Sequence, residues 1–469
     1  MRIGEALRRR IAQGAYRLQE HLIGRETFLM LSALDRSQWL EPAELESLQR
    51  RNLVRLLAVA LAHSPWHAER IEATGLAEAL AEGTISPADF RRLPTMGKVD
   101  ARDNCARILW QGVPGGAFRY NTGGSSGEPL QFHFGRSRQA SDAAGRMRAR
   151  AWWGVQVGDP EVYLWGAPVE LGKTDRVKTL RDWAINQVVL NAFEMSPARM
   201  DGYLGAIQAR QPVCLYGYAS SLALLAAHAE ARHFRFRLPR LRVVCTTGEP
   251  LYPHQRELIA RVFGAPVANE FGSRDIGFTA HETPAGQMLL LSENVLLEVL
   301  GPDGEPVPPG ELGEAVMTGL VSDAQPFIRY RTGDMVRLST RVCREGRGLH
   351  VIEEVAGRRT DFVVRPDGTI MHALAVIYVL RAVPGIRQFK CVQHAADFME
   401  VLVVADPVAW SADSEGAIIA GLRQRLGPDL RLALRMVDDI PPEASGKHRY
   451  VVSHVRLDPA LQPAARPAS

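Results

Sequence analysis

Residues 241–272, LRVVCTTGEPLYPHQRELIARVFGAPVANEFG, decide the fold of this chain. An apolar run at 241–248 ends in Thr-Thr-Gly, helical spacing begins at Pro253, and a second strand-like run follows at 266–272. Pro253 suits the first turn of a helix, and Gly264 suits the residue that ends one. A strand, a helix and a strand in this order predict two parallel strands joined by a crossover helix.

The same alternation precedes this unit. Apolar runs rich in β-forming residues at 161–165 and 213–217 predict strands, and helical spacing follows them over 176–193 and 220–233. Residues 1–110 have mainly helical spacing, which predicts helices before the first strand. The expected fold class is therefore α/β, with parallel-rich sheets covered by helices.

Beyond residue 285 the pattern becomes β-rich, with a Gly/Pro-dense turn region at 301–313. A different arrangement then predicts a small, separate α+β domain. Its expected elements are a helix at 372–385, strands at 387–394 and 398–405, a helix at 411–426 and a strand at 431–437. We therefore expect a large N-terminal domain at 1–359 and a small C-terminal domain at 360–469.

The composition is that of a globular protein with an ample core, since 46% of the 469 residues are hydrophobic and 23% are charged. The net charge of +4 is small and dispersed, which argues against nucleic acid as a partner. The five cysteines are widely spread, which fits a reducing cytoplasm and argues against a cysteine zinc site. Neither a signal peptide nor a long apolar run is found, so we expect no stable membrane insertion.

A loop within 118–135, FRYNTGGSSGEPLQFHFG, combines features that phosphate groups require. Glycines let backbone N–H groups converge on an anion, and hydroxyl side chains add donors. The residues that supply both are Thr122, Gly123, Gly124, Ser125, Ser126 and Gly127. An ordinary Gly/Ser turn has a similar composition, so the loop alone leaves both interpretations open. A second segment, 167–174, matches a relaxed Walker pattern with Lys173, but Pro168 removes one backbone donor from its cradle.

Four later segments place charged residues in loops. Asp275, in NEFGSRDIG, offers a carboxylate to a divalent cation or forms a surface pair with Arg274. Asp334, in RYRTGD, suits two ribose hydroxyls or an ordinary Gly-Asp turn. Arg358 lies in GRRTD beside the domain boundary, and Lys447 lies in SGKHRY on a glycine-containing turn. Each segment, taken singly, is also compatible with a solvated surface.

The joint occurrence of six segments is more specific than any one of them. NTGGSSGEP, TTGEPL, EFGSRD, RYRTGD, GRRTD and SGK follow one another in this order. With them, the sequence resembles the adenylate-forming superfamily of acyl- and aryl-CoA ligases, and within it the phenylacetate–CoA ligase family with its capsule-biosynthesis-type relatives. The resemblance covers most of the chain, from HSPWHAERIEATGL at 63–76 to SGKHRY.

The resemblance implies an ATP-dependent reaction in two steps. A carboxylate attacks the α-phosphate of Mg-ATP to give an acyl-adenylate and pyrophosphate, and a thiol, expected to be coenzyme A, then displaces AMP. Roles follow for the residues at matching positions. The phosphate loop 122–127 would hold the β- and γ-phosphates, and Asp275 would bind the Mg²⁺ ion. Asp334 would bind the ribose, and Arg358 would contact the ribose-phosphate region. The adenine would be contacted by Gly248, Glu249 and Pro250, with Phe271 and Gly272 beside it.

The small domain is implied to be mobile and to supply a cation. Lys447 would bridge the substrate carboxylate and the α-phosphate in the first step, a role that suits a point charge on a flexible stem. The domain would then rotate about a hinge at Asp361 and displace Lys447 before the thioester step. In this interpretation Lys447, Arg358 and Asp275 are the catalytic residues.

The acyl pocket implied by the resemblance is partly aromatic. Its candidate lining residues are Tyr216, Tyr218, Ala268 and Phe271. The aromatic members favour an aryl or similarly flat acid, although packing of the sheet also accounts for Tyr216 and Phe271. Three residues depart from the family pattern. Leu130 occupies a position where many relatives have lysine, Arg274 one where many have serine or threonine, and Asp275 replaces the usual metal-binding glutamate.

Three alternatives to a coenzyme A ligase remain open from the sequence. The acceptor of the activated acid could be a carrier-protein thiol, an amine or a sugar hydroxyl. The chain could instead be a non-catalytic scaffold in a biosynthetic complex, or a Walker-type NTPase that uses Lys173. The joint presence of Asp334, Arg358 and Lys447 argues against the scaffold. We expect a cytoplasmic enzyme that acts on a small carboxylic acid, with a homodimer as a possible assembly.

Overall fold

The computed structural model describes residues 3–121, 131–165, 181–192, 195, 197–358, 362–366, 370–372, 374–441 and 449–455. The chain divides into two compact units. The first comprises Met1–Val299, Val307–Thr332 and Val336–Val355, and the second comprises Leu300–Pro306, Gly333–Met335 and Ala356–Ser469. Because residues 359–361 lie outside the described residues, the domain boundary at 359 and the hinge at Asp361 stay predictions.

Helices fill the N-terminal part of the first unit, as the sequence predicts. Helices α1–α8 span Ile3–Leu22, Thr27–Ser37, Pro42–His63, Pro65–Ala73, Leu76–Ala81, Pro87–Arg92, Lys98–Asp103 and Cys105–Ile108. Helices α9–α12 follow at Arg136–Trp152, Pro197–Arg210, Ala219–Ala231 and Pro253–Phe263. Local capping fixes several starts; the Ser86 hydroxyl, for example, accepts a hydrogen bond from the Asp89 backbone N–H at 3.1 Å, just before Pro87.

An eleven-stranded sheet runs through this part of the chain. Strands β1–β13 span Phe118–Asn121, Gln131–Phe134, Glu161–Trp165, Gln187–Asn191, Cys214–Tyr218, Val243–Thr247, Val267–Ser273, Gly277–Glu282, Met288–Leu290, Val295–Leu300, Leu312–Gly319, Tyr330–Leu338 and Val351–Arg358. β1 and β2 pair separately, and the others follow the order β10-β11-β12-β13-β9-β8-β7-β6-β5-β3-β4. Strands β4, β3, β5, β6 and β7 are parallel, whereas β8 pairs antiparallel with β7 and β9. This arrangement confirms the predicted α/β class.

The strand–helix–strand unit predicted from 241–272 is confirmed as β6, α12 and β7. Gly264 ends α12 with φ +68°, a left-handed conformation that glycine adopts without strain. The helix predicted over 176–193 is wrong in its second half, because residues 181–184 are helical but Gln187–Asn191 form β4. The β-branched Val188 and Val189 favour a strand, and pairing of β4 with β3 satisfies the backbone groups that the two strands turn toward each other.

The parallel strands carry different side chains on their two faces. On one face, Val162, Leu215 and Val244 form an apolar cluster with residues of α10, α11 and α12. Alternate positions of the same strands carry Tyr163, Tyr216 and other members of a second cluster. This division follows from the alternation of side chains along a strand. The second face carries the candidate site.

The helices and strands predicted between 372 and 437 are confirmed in the second unit. Strands β14–β19 span Phe362–Val364, Ile370–His372, Ile386–Ala395, Phe398–Ala405, Arg431–Met436 and Val451–Ser453, and helices α13 and α14 span Leu374–Ala382 and Ala412–Leu426. Four strands form a sheet in the order β18-β17-β16-β19, and β14 pairs with β15. Across the described residues of both units, no helix combines the length and the apolar character needed to cross a membrane.

Candidate active site

Three of the predicted motifs meet at the carboxyl ends of adjacent parallel strands. Tyr218 at the end of β5 pairs with Thr247 at the end of β6, and Thr247 pairs with Glu270 on β7. The segments LYGY, TTGEP and NEFG therefore lie side by side although they are far apart in sequence. Parallel α/β sheets bind ligands at this edge, because the loops that follow neighbouring strands converge there.

The turn after β6 is tied to the start of a helix. Gly248 has φ +75°, a conformation that favours glycine. The next residue, Glu249, accepts a hydrogen bond from the Ser220 backbone N–H at 2.9 Å, in the first turn of α11. A carboxylate at this position is stabilised by the unpaired N–H groups and the dipole of the helix. Glu249 thereby joins the segments that follow β5 and β6.

Glu270 is a buried carboxylate that three side chains contact. Its Oε1 accepts hydrogen bonds from the Tyr216 hydroxyl at 2.8 Å, the Thr247 hydroxyl at 3.1 Å and Arg146 Nε at 3.4 Å. Burial would raise the pKa of Glu270, but the charge of Arg146, with a smaller effect of His281, outweighs it and holds that pKa below its usual value. Burial, together with the charge of Glu270, raises the pKa of Tyr216. Glu270 is therefore ionised and Tyr216 neutral near pH 7.

A cavity of about 380 Å³, which we call the polar cavity, lies beside Glu270 between α9 and strands β3–β5. Its polar lining side chains include Arg146, Arg150, Glu161, Tyr163, Gln187 and Tyr216. Arg150 Nη1 donates to Glu161 Oε2 at 2.6 Å and to the Tyr163 hydroxyl at 2.5 Å. Burial would lower the pKa of Arg150, but the negative charge of Glu161 and the neighbouring Tyr163 outweigh it and raise that pKa.

The four residues predicted to form the acyl pocket lie on β5 and β7. Tyr216 lines the polar cavity. Tyr218 stacks on Trp165 with ring centroids 4.5 Å apart, and Trp165 also lines the cavity. Ala268 is fully buried in the cluster that contains Tyr216, and Phe271 packs against a different apolar cluster. Tyr218, Ala268 and Phe271 are not among the residues that line the cavity, so their contact with an acid stays a prediction.

One predicted aspartate lies in a turn and the other within a strand. Asp275 lies in the turn between β7 and β8, and its Oδ2 accepts a hydrogen bond from the Tyr330 hydroxyl at 2.7 Å. Asp334 lies on β12 directly after Gly333, which has φ +77°, and its relative exposure is 8%. Asp334 belongs to the second unit, whereas Asp275 belongs to the first. Both predicted ligand roles stay predictions.

Several predicted site residues lie outside the described residues. They are the phosphate loop 122–127, Asp361, Lys447, the side chain of Arg358, and Lys173 of the alternative Walker segment. Within the part of the chain that the structure describes, no group of three or more His, Cys, Asp or Glu side chains is arranged to hold a metal ion. The assignments of these residues therefore stay predictions.

The charged residues of the polar cavity belong to none of the sequence motifs. Arg146 and Arg150 are four residues apart, which places them on one face of α9. Glu161 and Tyr163 alternate with apolar residues, which places them on one face of β3. Charged residues that recur at helix and strand spacing beside buried segments are the signal that indicates a polar interior here.

Comparison with known sequences agrees with the motif analysis. The CapK C-terminal domain family matches residues 363–454. Protein CapK of Staphylococcus aureus is 21% identical over 375 residues, which cover 79% of this chain and 82% of that protein. A phenylacetate-coenzyme A ligase of Pseudomonas putida is 24% identical over 338 residues, which cover 69% of this chain and 74% of that ligase.

Comparison with solved structures agrees with the fold. A crystal structure of 2-hydroxyisobutyryl-CoA ligase in the postadenylation state has a TM-score of 0.72 to this chain at 21% identity. The match covers 89% of this chain and 91% of that one. At this level of identity, the likeness shows a shared fold.

Proposed function

We propose a function from the family to which the chain belongs, the adenylate-forming, phenylacetate–CoA ligase-like family that includes CapK-type relatives. In this proposal the chain converts a carboxylic acid to its acyl-adenylate and transfers the acyl group to a thiol. The observation that carries the proposal is the row of LYGY, TTGEP and NEFG at the ends of β5, β6 and β7. The family resemblance implies nucleotide and acid binding for these segments, and the strand pairing brings the segments together.

In the first step, the carboxylate of the acid would attack the α-phosphate of ATP and release pyrophosphate. Two anions must approach each other, so positioning and charge neutralisation supply most of the rate enhancement. Residues 122–127 would hold the outer phosphates, and Gly248 with its neighbours would contact the adenine. Asp334 would accept hydrogen bonds from the ribose hydroxyls, and Lys447 would place its ammonium group between the carboxylate and the α-phosphate.

Asp275 fits the role of a single magnesium ligand. Mg²⁺ at nucleotide sites is commonly held by one or two carboxylates together with phosphate oxygens. The hydrogen bond from Tyr330 to Oδ2 at 2.7 Å orients the carboxylate of Asp275, so Oδ1 is the oxygen that it would offer. The ion would add positive charge beside the phosphates.

In the second step, a thiol would attack the acyl carbon, form a thioester and displace AMP. We propose coenzyme A as this thiol, because a relative that matches 69% of the chain is a phenylacetate-coenzyme A ligase. A carrier-protein thiol, an amine or a sugar hydroxyl would leave the first step unchanged, so the two steps are tested separately.

A panel of acids tests the proposed function with the full chain. The purified protein is incubated with ATP, Mg²⁺ and one acid at a time, and pyrophosphate release is measured with and without coenzyme A. We expect release that depends on the acid, and a thioester only when coenzyme A is present. Turnover of ATP that is independent of every acid would contradict the proposal.

Asp334→Asn tests the assigned ribose contact. Loss of the charged acceptor should lower kcat/KM for ATP by about 10- to 100-fold, since hydrogen bonds to a charged group contribute about 1.5–3 kcal/mol. The exposed Asp438→Asn of the same unit is the matched control and should leave kcat/KM unchanged. Equal values for both variants would remove Asp334 from the nucleotide site.

A further inference from the structure

The charged side chains of the polar cavity balance one another. Arg150 pairs with Glu161 at 2.6 Å, and Arg146 pairs with Glu270 at 3.4 Å. At the rim, Arg181 pairs with Asp182 at 2.5 Å. These pairs contain as many carboxylates as guanidinium groups, so a ligand with a further full charge gains no free counter-charge from them.

Both donors and an acceptor of these ion pairs lack a hydrogen-bond partner among the described residues: Arg150 Nε, Arg150 Nη2 and Glu270 Oε2. Arg150, whose side chain is 9% exposed, has no hydrogen-bond partner for Nε or Nη2 among the described residues, and its guanidinium group lies over the rings of Tyr163 and Tyr216 at 5.3 and 4.8 Å. Arg146 makes its one hydrogen bond within the described part of the chain through Nε, and 36% of its side chain is exposed. Its Nη groups therefore remain as donors. An unsatisfied buried donor costs about 1–3 kcal/mol, so the wall favours a ligand that supplies acceptors.

From these contacts we infer that the polar cavity holds the non-reacting end of a small hydroxylated carboxylic acid, an inference that rests on the proposed function above. A hydroxyl group accepts a hydrogen bond from a guanidinium group and donates one to a carboxylate. It therefore satisfies both members of an ion pair without adding charge. The volume of about 380 Å³ is near the lower end for ligand pockets, which favours a small acid.

Two other classes of acid fit the cavity less well. An aryl or alkyl acid covers the donors of Arg146 and Arg150 without supplying acceptors, although the ring of Tyr216 alone would favour an aryl group. A site that hydrogen-bonds a substrate hydroxyl rejects analogues without it by up to about 10⁴- to 10⁵-fold. A dicarboxylic acid supplies acceptors but adds a charge that the balanced pairs leave uncompensated.

Matched pairs of acids test the inference with the full chain. The probes are gluconate with hexanoate, 3-hydroxybutyrate with butyrate, and mandelate with phenylacetate, and succinate represents the dicarboxylic acids. The measurement is kcat/KM for acid-dependent exchange of pyrophosphate into ATP. We expect at least one hydroxylated acid to exceed its deoxy partner by about 100-fold or more. A preference below tenfold in every pair, or succinate as the best probe, overturns the inference.

Variants of the cavity wall test whether the named residues cause the preference for hydroxylated over deoxy acids. Arg146→Met keeps an unbranched side chain but removes its donors and its ion pair with Glu270. Gln187→Met is nearly isosteric and leaves both ion pairs intact. Each should lower the ratio of kcat/KM between hydroxylated and deoxy acid by about tenfold. Arg261→Met on α12 is the control, since it removes an exposed ion pair with Glu230, and it should leave the ratio unchanged. An unchanged ratio in both cavity variants overturns the inference.

Direct binding distinguishes failure of the inference from failure of the proposed function. Calorimetry measures the same acids against protein saturated with a non-hydrolysable ATP analogue. Tight binding of a hydroxylated acid without pyrophosphate exchange supports the cavity assignment and contradicts the adenylation reaction. Exchange that favours the deoxy acids supports the adenylation reaction and contradicts the cavity assignment. Absence of both binding and exchange contradicts both.

Discussion

The side chain of His67 has a protonation state that its surroundings fix. Nε2 donates a hydrogen bond to the Pro326 carbonyl at 2.9 Å, and Nδ1 accepts one from Arg70 Nη1 at 3.0 Å. Because a carbonyl only accepts and a guanidinium group only donates, these partners select the neutral tautomer with the proton on Nε2. Burial, reinforced by the charge of Arg70, lowers the pKa of His67 to about 3.

The low pKa of His67 predicts a loss of stability in mild acid. Below its ordinary value of 6.5, the unfolded chain binds a proton that the folded chain does not take up until about pH 3, so stability falls as pH falls through this window. At pH 5 the free energy of unfolding should be about 2 kcal/mol lower than at pH 7.5 through this group alone. Urea denaturation at both values of pH measures the difference.

His67→Gln is the variant that isolates this effect. The amide can donate to Pro326 and accept from Arg70 but does not titrate, so the drop between pH 7.5 and 5 should shrink by about 2 kcal/mol. His21→Gln, at an exposed position of α1, should keep the drop of the parent chain. The same drop in His67→Gln and in the parent would show that His67 is not the group responsible.

The roles of single residues could be predicted only where a motif surrounds them. TTGEP indicates its own turn, and the structure gives Gly248 a positive φ there, at +75°. Arg150 and Glu161 belong to no motif, because their interaction depends on α9 lying over β3 rather than on neighbours in sequence. Local sequence patterns do not contain that information, so the polar cavity could be found only in the fold.

At the scale of elements, β7 and β8 approach each other too closely at Gly272 for a side chain. A Cβ atom there would lie 2.5 Å from the Gly277 carbonyl oxygen, beside an irregularity in the register between Phe271 and Gly272. The close approach of β8 therefore explains why the motif NEFG has a glycine at position 272. The sequence predicts the strand correctly, but the close approach depends on a pairing that is not local.

A pair of glycine substitutions tests this packing. Gly272→Ala should lower the free energy of unfolding by about 1–3 kcal/mol, because the backbone of β8 must move to admit the methyl group. Gly205→Ala, in the interior of α10 where nothing lies within 4 Å, should instead raise it by about 1 kcal/mol. Urea denaturation measures both. Destabilisation of equal size in the two variants would contradict the close approach.

At the scale of the whole molecule, the predictable part of the fold is the part with local periodicity. The local periodicity of residues 241–272 is strong enough to predict a strand, a helix and a strand in the correct order. The segment 176–193 does not, because β4 exists through its pairing with β3 and that pairing overrides the helical pattern. The order of the eleven strands likewise depends on long-range pairing, which the sequence pattern does not specify.

The proposed function requires one chain to carry out two chemical steps. The first unit carries the row of three motifs, and the second unit includes Asp334 and the segment with Lys447. A cation needed only for adenylate formation should affect one half-reaction and spare the other. This separation is the central claim of the account, and it does not depend on which acid is the substrate.

Lys447→Ala, assayed in each half-reaction separately, tests that claim most directly. Removing a charge that stabilises the transition state should slow acid-dependent exchange of pyrophosphate into ATP by about 10²- to 10³-fold, while thioester formation from supplied acyl-adenylate and coenzyme A stays within a few-fold of the parent. Lys390→Ala, in the same unit on β16, is the matched control and should affect neither step. Equal loss of both half-reactions in Lys447→Ala, or loss of neither, would contradict the account.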